Sequence, residues 1–132
     1  NIIFRRCTVL HSLADWAAEV GALCVVLCDA GTVHDIVFEQ IDVLDERANG
    51  INCMLFRDRW STDTQAGHIR AVCFRDITLP KNVPVRLWGY DAAHRVEDIL
   101  LQNVHMEEAE ALWLDSNVYT SEIQVRGTRQ NE

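Results

Sequence analysis

Acidic side chains in the loops and in a second set of apolar segments are the catalytic candidates in this 132-residue chain. Glycoside hydrolysis needs two carboxyl groups beside one bond, about 5 Å apart for retention or about 6.5–9.5 Å apart for inversion. The side chains considered are Asp15, Glu19, Asp29, Asp63 and Asp91. We keep Asp15, Glu19, Asp63 and Asp91 as weak catalytic candidates, because no motif pairs any two of them.

Glu19 has two interpretations. It lies in an apolar segment, and an inward orientation would raise its pKa and suit a general acid. Alternation through Trp16, Ala18 and Val20 instead places Glu19 in the outward phase. The outward phase favours a solvated residue.

Aromatic residues in loops and at strand ends suggest a second kind of chemistry, because flat rings there can stack on sugar rings. Trp60, Trp88, Tyr90 and Trp113 have this placement, although core packing or an oligomer interface would use them equally well. In the turn after Tyr90, Asp91 and His94 could bond a sugar hydroxyl or each other. The carbohydrate-binding candidates are therefore Trp60, Trp88, Tyr90, Asp91 and His94.

The cysteine and histidine residues predict neither a metal site nor a cofactor. Cys24 and Cys28 lack the two further ligands, at similar spacing, that a zinc site requires. Cys7 stands where other copies of a repeat carry Ile or Val, which predicts a small buried side chain.

That repeat is the main architectural signal. It consists of an aliphatic residue, any residue, a large apolar one, two mostly polar residues and an apolar-any-apolar triplet. Four copies are clear and a degenerate fifth lies near residues 118–125. The clear copies are Ile2–Val9, Ile36–Val43, Val72–Leu79 and Ile99–Met106.

Apolar residues two apart, with β-branched and aromatic types favoured, predict strands, and the polar pair predicts a bend within each copy. The bend ends in Arg6, Gln40, Asp76 and Asn103, a column whose side chains could bond backbone groups. Second apolar strings would form an opposite wall, at residues 16–21, 51–56, 85–88 and 111–114. Helix is the alternative for residues 13–20. Because one unit cannot bury its apolar face alone, the sequence predicts an all-β parallel β-helix of four to five coils and one domain, residues 1–132.

Three stretches resemble a known family. Asp35–Val43, Trp60–Asp63 leading into Gly67–Arg70, and Gly89–His94 are similar to C-terminal coils of bacterial right-handed β-helix glycoside hydrolases of the polygalacturonase-like superfamily. The resemblance extends from Ile2 to about Val125 and implies right-handed coils.

The resemblance implies little about activity. The family carries an Asn-any-Asp element, an Asp-Asp pair, a Gly-His-Gly and an Arg-any-Lys. In this chain Gly67-His68 is followed by Ile69, and the other three elements are absent. The family's catalytic residues therefore cannot be assigned to positions here.

Composition argues against two classes of partner. A formal charge of −8 with a single lysine does not suit a nucleic-acid groove, which needs positive charge to displace counterions. No apolar run reaches the roughly 18 residues that a membrane helix needs, and no leader pattern is present at the N-terminus. The sequence predicts a soluble protein and assigns no compartment, although relatives in the family are often exported.

One column of the repeat favours self-association. Ile3, Val37, Cys73 and Leu100 lie between inward positions, so alternation sends them outward as an apolar row. Unpaired strand edges at the coil ends also invite another chain. Three hypotheses follow. The first is a self-associating, non-catalytic module with carbohydrate affinity, and the second is a small glycosidase, or the remnant of one, that uses a carboxylate pair. The third is a purely structural piece without a ligand.

Overall fold

The computed structural model describes residues 1–13 and 20–128, and these residues form strands and loops without a helix. The described chain therefore offers no helix that could cross a membrane. Nine strands follow one another: β1 Ile2–Val9, β2 Leu23–Leu27, β3 Thr32–Val43, β4 Ile51–Leu55, β5 His68–Leu79, β6 Val85–Trp88, β7 Val96–Met106, β8 Leu114–Ser116 and β9 Thr120–Arg126.

The strands form two parallel sheets, between which the chain alternates. The odd-numbered strands form one sheet in the order β1-β3-β5-β7-β9, and the even-numbered strands form the other in the order β2-β4-β6-β8. Each strand from β1 to β7 pairs in parallel with the strand two elements later. The prediction of an all-β fold with parallel strands is confirmed.

The repeat copies lie in register within the odd-numbered sheet. Ile2 pairs with Ile36, Ile36 with Val72, and Val72 with Ile99, as the sequence alignment predicted. The fifth copy differs, because Ile99 pairs with Ile123, 24 residues on (123 − 99). Val118, where we expected the fifth copy, is 80% exposed in the turn before β9, whereas Ile123 packs against the core.

Left-handed residues divide the long strands at two columns. The first column is the predicted bend: Arg6, Gln40, Asp76, Asn103 and Gly127 have φ of 56°, 54°, 54°, 51° and 64°. The second precedes the repeat and contains Asp35, Ala71, Asp98 and Glu122, with φ of 54° to 56°. The prediction of the bend is confirmed. The hydrogen bonds in the first column join side chains, from Arg6 to Gln40 at 3.3 Å and from Asn103 to Asp76 at 3.0 Å, instead of reaching the backbone as predicted.

The core lies between the two sheets and is built from the inward columns. Phe4, Phe38 and Phe74 stack face to face, with centroids 4.9 and 5.0 Å apart. Ile41, Ile69, Leu79, Leu87 and Leu101 are among the fully buried residues. Stacked inward columns of this kind bury apolar area that no single strand pair could bury.

Two second-wall predictions need correction. The first strand of the even-numbered sheet is Leu23–Leu27, where Leu23 and Val25 are buried and pair with Ile51 and Cys53. Residues 20 and 21 form no strand, and residues 16–19 lie outside the described part of the chain, as does most of the alternative helix. The last second-wall strand is β8, which shares only Leu114 with the predicted 111–114. The strands predicted at 51–56 and 85–88 are β4 and β6.

Cys7 corrects a third prediction. Its side chain occupies the inward column, paired with Ile41, yet it is exposed because β1 is the edge strand of its sheet. Position within the repeat sets the direction of the Cys7 side chain, but no strand covers it on the outer side of β1.

Candidate functional site

Five of the eight residues predicted to be catalytic or to bind carbohydrate lie in loops that lead from the even-numbered sheet to the odd-numbered one. Trp60 and Asp63 belong to the loop between β4 and β5, and Tyr90, Asp91 and His94 to the loop between β6 and β7. Since β4 neighbours β6 and β5 neighbours β7, these loops lie on the same edge of the molecule.

Asp91 and His94 bond each other, which is the turn-pinning alternative left open by the sequence. Asp91 Oδ1 accepts hydrogen bonds from the backbone N–H of Ala93 and of His94 and lies 2.8 Å from His94 Nδ1. Burial raises the pKa of Asp91, but the hydrogen bonds from His94 and Ala93 outweigh it, so the net shift is downward. A lowered pKa suits a carboxylate acceptor and does not suit a general acid.

His68 joins this turn and was not among the predicted site residues. Its ring centroid lies 5.4 Å from that of His94, whose own ring is 6.4 Å from Tyr90 in an edge-to-face arrangement. The signal was present in the repeat. His68, the first residue of β5, lies four residues before Val72, and His94, in the loop before β7, lies five before Ile99, so aligning the copies backwards brings the two histidines close together. Tyr90, Asp91, His94 and His68 form what we call the Tyr90 cluster.

Asp63 and Asp29 each accept hydrogen bonds from the backbone of a neighbouring loop. Asp29 Oδ1 accepts hydrogen bonds from the backbone N–H of Thr62 and of Asp63, at 2.8 and 3.0 Å, and Asp63 Oδ2 accepts one from Ala30 at 2.9 Å. The bond from Asp63 and those from Thr62 lower the pKa of Asp29. The two carboxylates thus tie one loop to the next. Asp15 and Glu19 lie outside the described residues.

Trp60 and Trp88 differ in solvent exposure and in the contacts that hold their rings. Trp60 is 70% exposed, and the Arg59 guanidinium lies 4.7 Å from its ring centroid. Trp88 is held on the outer face of its sheet, where its Nε1 donates a hydrogen bond of 3.2 Å to Asp115. Arg86 lies over the same ring and pairs with Asp115 at 3.3 Å. Trp60 is therefore the more available surface for a ligand.

The outward apolar row has the predicted alignment. Ile3, Val37, Cys73 and Leu100 pair successively across β1, β3, β5 and β7. Ile3 is exposed and the other three are half-buried. This row offers less apolar surface than the sequence suggested, except at Ile3.

Beside this row, Glu39 is buried between two arginines. Its carboxylate accepts hydrogen bonds from Arg5 and from Arg75, the latter at 2.8 Å. The bond from Arg5 lowers the pKa of Glu39, burial opposes it, and Arg75 adds to the lowering. The charges of Arg5 and Arg75 are thus partly neutralised within the sheet.

Several exposed apolar side chains lie at the end of the core at β1, which we call the N-terminal end. Ile2 is 51% and Phe4 46% exposed, and Leu10 and Leu13 are exposed beside them. A groove of about 530 Å³ opens there between the sheets, and its walls include Phe4, Val9, Val25, Phe38 and Ile41. Exposed apolar side chains grouped in this way can mark a contact surface.

Within residues 1–13 and 20–128, no three His, Cys, Asp or Glu side chains are grouped as a metal site requires. Comparisons with protein-family models, with curated proteins and with solved structures found no match to the chain. The candidate sites therefore rest on the geometry of this chain alone.

Proposed function

We propose that the chain is a short right-handed parallel β-helix, similar to the C-terminal coils of the polygalacturonase-like superfamily, that associates with copies of itself and is not catalytic. The continuous register of five repeat copies and the two columns of left-handed bends support the β-helix. The right-handed sense follows the strong preference of parallel crossover connections.

The observation that carries self-association is the uncovered N-terminal end. Phe4 stacks on Phe38 with one face and is still 46% exposed, and β1 presents an unpaired strand edge. Burial of apolar surface contributes about 25 cal/mol per Å², and an edge strand offers backbone groups that another strand can bond. A second copy would supply both kinds of contact, and Ile3 of the outward row would lie at the rim.

The absence of catalysis is supported by how the described carboxylates are used. Asp63 holds a neighbouring loop, and Asp91 holds its own turn with a lowered pKa. The alternative, a small glycosidase, predicts release of reducing sugar from a polysaccharide panel that Asp91→Asn abolishes. We expect no release from any member of the panel.

The Tyr90 cluster favours carbohydrate binding as a second function. All three hydrogen bonds to Asp91 end on Oδ1, which leaves Oδ2 of this 44% exposed side chain available to a sugar hydroxyl, next to the exposed ring of Tyr90. We expect weak binding of oligosaccharides by NMR titration, with shifts at Tyr90 and His94 that Tyr90→Ala removes. Unchanged shifts across a panel of neutral and acidic oligosaccharides would overturn this second function.

The test of self-association is the molar mass in solution, measured by light scattering across a hundredfold range of concentration. We expect mass to rise with concentration in the wild type and to fall back toward the monomer in Phe4→Lys. Leu100→Thr, in the half-buried part of the outward row, is the matched control and should behave as the wild type. A wild-type mass that stays at the monomer value throughout would overturn the proposal.

A further inference from the structure

The Tyr90 cluster contains two histidines, His68 and His94, that the pairing of β5 with β7 brings together. Their ring centroids lie 5.4 Å apart and their ring planes are 37° from parallel. Within residues 1–13 and 20–128, no other two histidine rings are in contact. Both side chains are partly exposed, so small ions in solution can reach them. Two neighbouring imidazoles of this kind can act as ligands of one metal ion.

The separation of the two rings fits shared coordination. An imidazole nitrogen binds a divalent transition metal at about 2.0–2.1 Å, which places the ion about 3.2 Å from the ring centroid. Centroids 5.4 Å apart then correspond to an angle of about 115° at the ion, close to the tetrahedral value of about 109°. The χ2 torsion of histidine has a broad energy minimum, so the His68 ring can turn a nitrogen toward the ion. The two side chains therefore need not move closer together or further apart.

We propose that His68 and His94 bind one divalent first-row transition-metal ion. Imidazole suits Cu²⁺, Ni²⁺ and Zn²⁺, whereas Mg²⁺ and Ca²⁺ prefer oxygen ligands. Two protein ligands are fewer than a resident metal centre needs, so water completes the coordination and the ion exchanges with the solution. The affinity should be highest for Cu²⁺, as it is for nitrogen ligands in general. This site is independent of self-association and of carbohydrate binding.

Asp91 orients His94 for this role. Its Oδ1 lies 2.8 Å from His94 Nδ1 and is itself fixed by the backbone N–H groups of Ala93 and His94. Asp91 has a lowered pKa and is ionised at neutral pH, where a carboxylate only accepts hydrogen bonds. His94 Nδ1 therefore carries the proton, and Nε2 keeps its lone pair for a metal ion. A carboxylate on the other ring nitrogen is the usual support of a metal-binding histidine.

Charges beside the pair have both signs. Arg95 follows His94 and opposes a bound cation, and its Nη2 donates a hydrogen bond of 3.4 Å to the backbone oxygen of Thr120. Asp91 is in direct contact with His94 and offsets that charge. The formal charge of the chain is −8, which attracts cations to the molecule as a whole.

His34 provides a matched control within the same sheet. Its Nδ1 lies 2.7 Å from Asp35 Oδ2, so it has the same kind of carboxylate partner as His94. Its ring contacts no second histidine in the described chain, and its partner in the strand register is Arg70. A comparison of His34 with His94 therefore separates shared coordination from binding by a single imidazole.

The experiment is a Zn²⁺ titration followed by ¹⁵N NMR of the imidazole nitrogens. It uses Cys7→Ser throughout, because the exposed Cys7 thiol would also bind zinc. We expect Nε2 of His94 and one ring nitrogen of His68 to shift together and to saturate at one ion per chain, whereas Mg²⁺ causes no shift. A His68 ring that does not respond while His94 does, or equal responses at His34 and at the pair, would overturn the proposal.

Variants measure what each side chain contributes to zinc affinity. His68→Ala and His94→Ala should each weaken binding by about tenfold or more, and His34→Ala should leave it unchanged. Asp91→Asn keeps an oxygen acceptor for the backbone N–H groups and should still weaken binding by about tenfold, as the loss of a carboxylate behind a metal-binding histidine does. Circular dichroism melts establish that each variant folds. Unchanged zinc affinity in both His68→Ala and His94→Ala would overturn the site.

Discussion

Phe4 lies face to face with Phe38, with ring centroids 4.9 Å apart and ring planes 13° from parallel, at the point where the core meets solvent. Phe38 stacks in the same way on Phe74, which is fully buried. The three rings have the same chemistry and the same position in the repeat, and they differ in how many neighbouring strands cover them. We therefore expect Phe74 to contribute mainly to the stability of the fold and Phe4 mainly to self-association.

Phe74→Ala should lower the free energy of unfolding by about 3–5 kcal/mol, because it removes a buried ring and leaves a cavity. Phe4→Ala should lower it by less than about half as much, because its ring is already half exposed. Urea unfolding at low protein concentration measures both. Equal losses for the two variants would show that the N-terminal end is covered in solution.

Ala71→Gly should stabilise the protein by about 0.5–1 kcal/mol. Ala71 has φ of 54°, a left-handed conformation that disfavours a Cβ, and its column otherwise contains Asp35, Asp98 and Glu122. The urea midpoint of this variant is compared with that of the control Ala22→Gly. Ala22 does not have a positive φ, so the same substitution there should destabilise the protein by a similar amount. Destabilisation by Ala71→Gly would contradict the left-handed bend at this position.

Acid should loosen the loops that follow β1 and β3. Asp45 accepts hydrogen bonds from Arg47 and from the backbone N–H of Ser12 at 2.9 Å, and these bonds hold the pKa of Asp45 well below its usual range. A lowered folded-state pKa contributes stability that is present above the unfolded pKa of about 4 and is lost as pH falls below it.

The measurement is the urea midpoint between about pH 6 and pH 2. Asp45→Asn should lower the midpoint at pH 6 and make it less dependent on pH, whereas Asp42→Asn, at an exposed position on β3, should leave the wild-type profile. If Asp45→Asn retains the full acid dependence, the loss of stability has another source, such as Glu39 or Asp29.

Cys7 should be the thiol that reacts fastest. All five cysteines are free, Cys7 is exposed, and burial raises the pKa of Cys53, Cys24 and Cys73. Labelling with a disulfide reagent should show one fast thiol, which Cys7→Ser removes and Cys53→Ala does not. Because Cys7 lies on β1, the fast phase should slow as protein concentration rises. A fast phase that persists in Cys7→Ser would contradict the exposure of this edge.

The sequence predicted the odd-numbered sheet well because its signal is local. Apolar residues two apart, interrupted at Gln40 or Asp76, specify strand, bend and strand without reference to any other part of the chain. The even-numbered sheet was harder: its strands have three to five residues, and the apolar strings at 16–21 and 111–114 resemble strands as closely as Leu23–Leu27 does.

The site could be predicted only in part. The bond between Asp91 and His94 is local, so the sequence suggested it as one of two alternatives. The approach of His68 depends on the pairing of β5 with β7, and a turn examined alone does not contain that information. The exposure of Cys7 and Phe4 likewise depends on which copy of the repeat forms the edge of the sheet.

The central claim is self-association through an uncovered core end, and its most direct test is the wild-type mass as a function of concentration. Sedimentation equilibrium should give an average mass that rises above the monomer value as protein concentration increases. A monomer mass at every concentration would contradict self-association itself.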